Sequence, residues 1–162
     1  MSKPNVTVTL ASNGDAEDVQ CFVVGAGRKA INVRLAQNED GDDVHGLLYA
    51  SGLRLEGLDW SDIYPHWLVV GPNGKLVGCL QVLLGKPVGF IEFMATEESL
   101  GHRDRAGVVQ ALYDQGYASL KTYGAQMIAG MIPFEIKAWK RVVKRRGGVV
   151  LYSGSTFITR LV

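Results

Sequence analysis

Ile91-Glu92-Phe93-Met94-Ala95, then Arg103-Asp104-Arg105-Ala106-Gly107, then an amphipathic run ending at Gly124, then Gln126 to Ile132: the fold is decided along this stretch. The first segment is mostly apolar and reads as a strand. The second is charged and short, and reads as a loop. Val109, Leu112, Tyr113, Gly116, Tyr117 and Leu120 fall at i, i+3, i+4, i+7, i+8 and i+11, one wide apolar stripe. They predict a helix over 106–123, stopped where Gly124 can take a left-handed cap. A second apolar strand follows. A strand, a basic loop and a helix start in that order aim backbone N–H groups and a favourable dipole at an anion.

Outward from that core the remaining elements follow by period and punctuation. Toward the N-terminus, Ile31-Asn32-Val33-Arg34-Leu35 alternates as a half-buried strand. Asn38 or Asp40 is placed to cap a helix carrying Val44, Leu47 and Leu48 on one face. Trp67 to Val70 and Leu76 to Val82 are strands joined by Gly71-Pro72-Asn73-Gly74, a hairpin signal because Asn-Gly accepts positive φ. Val88 to Ala95 returns as the third antiparallel strand. Toward the C-terminus, Pro133 suits the first turn of another helix, with Ile136, Trp139 and Val143 inward and Gly147-Gly148 closing it. A last hairpin joins 149–152 to 156–161. Residues 1–30 stand apart as an N-terminal arm with two short strands, Val6 to Leu10 and Gln20 to Val24; residues 31–162 form the main domain.

The 162 residues suit one domain with a two-layer core. Nearly half are apolar, a fifth are charged, and the formal net charge is +1. No apolar run is long enough to span a membrane, and Met1-Ser2-Lys3-Pro4-Asn5 does not open a signal peptide. Cys21 and Cys79 form no disulfide framework, which fits a reducing, cytoplasmic setting. Charge is uneven: Glu39 to Asp62 holds seven acids against Arg54, and the chain from Arg103 onward holds ten bases against three acids. That bias points to an anionic ligand or partner on the C-terminal half. His45, His66 and His102 are scattered without ligand spacing, so no metal site is expected.

Ile31 to Ala36 followed by Glu39-Asp40 and a helix, the Trp67 to Gly78 hairpin, and Ala138 through Arg146-Gly147-Gly148-Val149 together resemble the GNAT acetyltransferases. The resemblance covers 31–162. It implies an α/β (α+β) fold, with a mixed, mostly antiparallel central sheet and helices on both faces. It implies acetyl-CoA as cofactor and an amine as acceptor. Two central strands would start paired and then splay, leaving backbone at Phe93 and Met94 to bond the pantetheine arm. The loop pattern Gln/Arg-x-x-Gly-x-Gly/Ala would cradle the pyrophosphate, with Arg103, Arg105, Ala106, Gly107 and Val108 in its place. Arg103 matches the first position, Ala106 the Gly and Val108 the Gly/Ala; shifting the register by one puts Gly107 in the last slot but replaces Arg103 with His102. Glu92 matches the general base. The position of the usual general-acid tyrosine, four residues before the final helix's glycine, is Val143.

Trp60, Tyr64, His66 and Trp67 are candidates to line a substrate cleft. Lys137, Lys140, Arg141, Lys144, Arg145 and Arg146 make the final helix basic. With no interleaved exposed aromatics and no reader motif, that face suits solvent or a protein better than nucleic acid. Two functions stand side by side. One is an acyl-CoA-dependent N-acetyltransferase on an unidentified amine. The other is a GNAT-fold protein without catalysis, acting as a structural or interaction module through its arm and basic helix. Small bacteriophage-encoded proteins, some of them virion components, resemble the second combination.

Overall fold

The computed structural model describes residues 21–23, 31–54, 57, 59–71, 75–131, 137–145, 147, 149–150 and 156–160. Eight strands form one sheet in the order β1-β2-β3-β4-β5-β6-β8-β7. They are β1 (Cys21–Val23), β2 (Ile31–Leu35), β3 (Trp67–Val70), β4 (Gly78–Leu83), β5 (Val88–Thr96), β6 (Met127–Met131), β7 (Val149–Val150) and β8 (Thr156–Arg160). All neighbours pair antiparallel except β5 and β6, which run parallel. A parallel pair needs a long crossover, and the helix α3 (His102–Tyr123) supplies it. Helices α1 (Gly41–Ala50) and α2 (Trp60–Ile63) precede β3, and α4 (Lys137–Arg145) lies between β6 and β7. The expected α/β architecture with a mostly antiparallel sheet is what the chain adopts.

Two apolar clusters sandwich the sheet. On one face, Val33, Leu68, Leu80, Val82, Ile91 and Met94 meet the α3 stripe and Val143 of α4. On the other, Trp67, Val69, Cys79 and Ala95 meet Val44, Leu47 and Leu48 of α1. The α3 stripe is buried as its spacing predicts, with Val109, Leu112, Tyr113, Gly116 and Leu120 all in the core. Gly124 closes the helix at φ 95°, the left-handed cap read from the sequence. Helix and sheet approach closely enough to require two glycines in the strands. A Cβ on Gly78 would meet Val108 at 2.5 Å, and one on Gly89 would collide with Leu120.

Several boundaries differ from the sequence reading. The segment Arg103 to Gly107 is not a loop: α3 already begins at His102, and the connection from β5 is only Glu97 to Gly101. Arg105 lets the helix start early, because its Nη2 donates back to the Glu98 carbonyl at 2.6 Å and the Glu97 carbonyl at 3.4 Å. Strand β4 starts at Gly78 rather than Leu76. Of the two strands expected in residues 1–30, Cys21–Val23 joins the sheet edge against β2. Val6 to Leu10, the Pro72-Asn73-Gly74 turn, Pro133 and Ile136 lie outside the described residues.

Asp40 does occupy the N-cap position of α1, but its carboxylate turns away from the helix. It accepts from Arg34 Nη1 at 2.6 Å, Arg34 Nη2 at 2.7 Å and the Gln37 N–H at 2.7 Å. Partial burial raises its pKa, yet the Arg34 and Gln37 hydrogen bonds outweigh burial and hold it below 3.8. A carboxyl depressed on folding stabilises fully above its unfolded pKa and loses that contribution as pH falls through the folded value. Urea melts should therefore show stability falling below about pH 4. The expected loss is about 1 kcal/mol for this half-exposed pair, and an Asp40→Asn variant should lack that part of the decline.

Candidate active site

Among the described residues, the parallel ladder of β5 and β6 pairs Val88 with Met127, Gly89 with Ile128, Phe90 with Ala129 and Ile91 with Gly130. Strand β5 continues to Thr96 with its other edge still held by β4 through Thr96 and Gly78. From Glu92 onward its β6-facing edge therefore has no described strand partner.

A bulge sits just past the last described β5–β6 pair. Cys79 pairs with Ala95 and Gln81 with Glu92, so Phe93 and Met94 together oppose Leu80. Phe93 takes φ 43°, a left-handed conformation that a side-chain-bearing residue rarely adopts. The extra residue resets the alternation of the strand. Met94 points into the α3 core and is 1% exposed, while Phe93 packs on the α1 side against Trp67, ring centroids 6.5 Å apart. Glu92 is registered across Gln81 and thus in the same row as Trp67. The bulge leaves the half-buried Glu92 just past the last described β5–β6 pair.

Beyond β5 lies the start of α3. Gly101 is its N-cap, at φ −59° and ψ 154°, and no side chain bonds the first-turn N–H groups. Arg105 N–H already reaches the Gly101 carbonyl at 2.9 Å, so the helix ladder begins there. The orphan donors are those of His102, Arg103 and Asp104. Space around Gly101 is open: an added Cβ would meet nothing within 4 Å. Arg103 is exposed beside it. The loop below is pinned by the Arg105 bonds and by Lys75 Nζ, 2.8 Å from Glu97 Oε1.

The residues singled out in the sequence are therefore sorted by the fold. Glu92, Phe93 and Met94 fall together at the bulge. Arg103 falls at the free helix start. Ala106 is exposed one turn further in, and Gly107 faces Ile31, 3.3 Å from where a Cβ would be. Val108 is 4% exposed and packs on Gly78, so its side chain leaves the helix start clear. Val143 is fully buried among apolar residues.

Trp60 meets Tyr64 and Trp67 in tilted ring pairs, centroids 6.4 Å and 6.0 Å apart. Trp67 is core of the α1 layer with Trp60 packed against it, and His66 lies on the opposite, α3 side. The cleft expected from these four does not form. Cys79 is buried beside Ala95, and burial pushes its thiol up to about 12, which rules it out as a nucleophile near neutral pH. No group of His, Cys, Asp and Glu able to hold a metal occurs among the described residues. No described helix is long and apolar enough to cross a membrane.

Sequence reasoning missed Gln81 and Gly101. Gln81 is the one polar residue among the buried side chains, 7% exposed, directly across from Glu92. A lone amide in the apolar run Gly78 to Leu83 was the available signal. Gly101 was hidden by the misplaced helix boundary.

No family model and no curated protein matches the chain. Solved structures do. The GNAT domain of PAT from S. lividans is similar over 88% of this chain and 97% of that one, at 13% identity and a TM-score of 0.65. The structure of yncA from Salmonella typhimurium, solved with its cofactor acetyl-CoA, is similar over 83% and 95%, at 12% identity and a TM-score of 0.65. Ard1 from Thermoplasma volcanium is similar over 82% and 98%, at 17% identity and a TM-score of 0.64. The fold of this chain is the GNAT fold.

Proposed function

We propose that this protein is an acyl-CoA-dependent N-acetyltransferase. The observation that carries the reading is the uncapped, open start of α3 at Gly101, which follows a strand bulged at Phe93 just past its last described pair with β6, Ile91 with Gly130. A bulged strand leading to an uncapped helix start suits a long amide-bearing arm that ends in a diphosphate. The residues present fit such a group: Gly101 leaves the approach open, and Val108 is turned into the core. Backbone of Phe93 and Met94 would hold the pantetheine arm. The His102, Arg103 and Asp104 N–H groups, with the Arg103 guanidinium, would hold the diphosphate, one turn earlier than Ala106, Gly107 and Val108. Arg105 acts indirectly, by fixing the loop that presents the helix start.

Acetyl-CoA would supply an acyl group activated as a thioester. Glu92 takes a proton from the acceptor ammonium, directly or through one water, and so frees the nitrogen lone pair. Gln81, across the ladder from Glu92, keeps an amide beside the carboxylate. Solved neighbours include diaminobutyrate acetyltransferase EctA from Paenibacillus lautus with its diamine substrate and the NatC complex with a Gag peptide, so the fold serves both small and peptide amines.

A second reading, a GNAT-fold structural or interaction module without catalysis, is favoured by one observation. Val143 stands where a proton donor to the leaving sulfur belongs, and it is fully buried. Isothermal titration with acetyl-CoA separates the two. The enzyme reading expects micromolar binding, weakened about tenfold in Arg103→Ala by loss of one phosphate contact. Absence of binding at millimolar acetyl-CoA would leave the module.

A further inference from the structure

On the face of the sheet away from Glu92 lies a cavity of about 380 Å³ that the reaction above does not use. Its floor is the α3 side of three adjacent strand ends: Leu35, Leu68, Val82 and Leu84. Leu35 is registered beside Leu68, so the aliphatic side chains form a continuous wall. Its roof is the flank of α3 carrying Gln115, Ser119 and Thr122, at i, i+4 and i+7. The core stripe of the helix touches β4 and β5 through Gly116 and Leu120, whereas this neighbouring stripe faces β2 and β3 across unfilled space. Three polar side chains opposite an aliphatic wall is the reverse of what closes a core. Leu35 and Leu84 also remain about half exposed, at 49% and 47%.

We propose that this cavity is a binding site for a small uncharged molecule with an apolar ring or chain and hydroxyl- or amide-type groups along one edge. Its size falls in the range of small-molecule sites. The ligand is uncharged because the helix wall offers only hydroxyl and amide groups. Of the two basic side chains lining the cavity, Arg34 is paired bidentately with Asp40 and His66 is exposed to solvent. The ammonium of Lys86 sits outside, 5.0 Å over the Tyr123 ring at the mouth.

The test is calorimetric titration of the full chain with 2-naphthol, repeated with 2-naphthoate and with two variants. Ser119→Leu fills the slot from the helix side; Leu84→Asp charges the exposed end of the aliphatic wall without touching the core. The expected result is submillimolar binding of 2-naphthol by the wild type, at least about tenfold weaker in each variant, with 2-naphthoate binding more weakly than 2-naphthol. Thermal melts verify that both variants remain folded. Failure of the wild type to bind, equal binding by wild type and folded variants, or tighter binding of the carboxylate would overturn the proposal. None of these outcomes depends on acetyl-CoA.

Discussion

Glu92→Gln should lower the rate of acetyl transfer by about 10²- to 10⁴-fold, the usual worth of a positioned general base. The change keeps the shape of the side chain and its place across from Gln81, and removes only the ability to take a proton. Affinity for acetyl-CoA should stay within about twofold of wild type, because the residue faces the acceptor side of the site and makes no diphosphate contact. The rate should rise again with pH in the variant, as a larger fraction of the acceptor arrives already deprotonated. The measurement is release of free thiol from acetyl-CoA at a range of pH values. A variant as fast as wild type would remove Glu92 from the chemistry while leaving the cofactor site intact.

Gly101→Asp should separate stability from binding. The backbone at Gly101 is already at an N-cap angle, and the space beside it is empty. An aspartate there can accept from the orphan N–H groups of the first turn, and Asp is a better cap than Gly by a few tenths of a kcal/mol. The melting temperature should hold or rise slightly. The same carboxylate would stand where the diphosphate rests and repel it. Affinity for acetyl-CoA should fall about 100-fold, the cost of replacing attraction by like-charge contact at one helix start. A variant that is both more stable and equally tight would show that the anion binds elsewhere.

The order of elements was legible because each depends on local pattern. The α3 stripe, its Gly124 cap and the inward Val143 needed no partner to be read. The helix start was misread because Arg103, Asp104 and Arg105 look like loop residues by polarity. Arg and Asp are tolerated in a first helical turn facing solvent, and a single glycine costs a helix only about 1 kcal/mol. What fixes the boundary is Arg105 folding back on the Glu97 and Glu98 carbonyls, a contact between residues seven and eight apart that no periodicity reveals.

The bulge was illegible for a similar reason. Ile91 to Ala95 reads as plain strand, and only the pairing of two residues against Leu80 shows that Phe93 must turn left-handed. That one insertion puts Glu92 and Phe93 on the same face, and with it the site takes shape. The aromatic group Trp60, Tyr64 and Trp67 failed as a cleft because aromatic side chains near an acidic loop are as well spent on packing α1 to the sheet.

Backbone amide shifts on titration of the labelled protein with acetyl-CoA probe the central claim most directly. The bulged stretch of β5 and the uncapped start of α3 should respond as one site, with Phe93, Met94, His102, Arg103 and Asp104 moving together and saturating at one affinity. Shifts confined to the basic face of α4, or none at millimolar acetyl-CoA, would contradict the account.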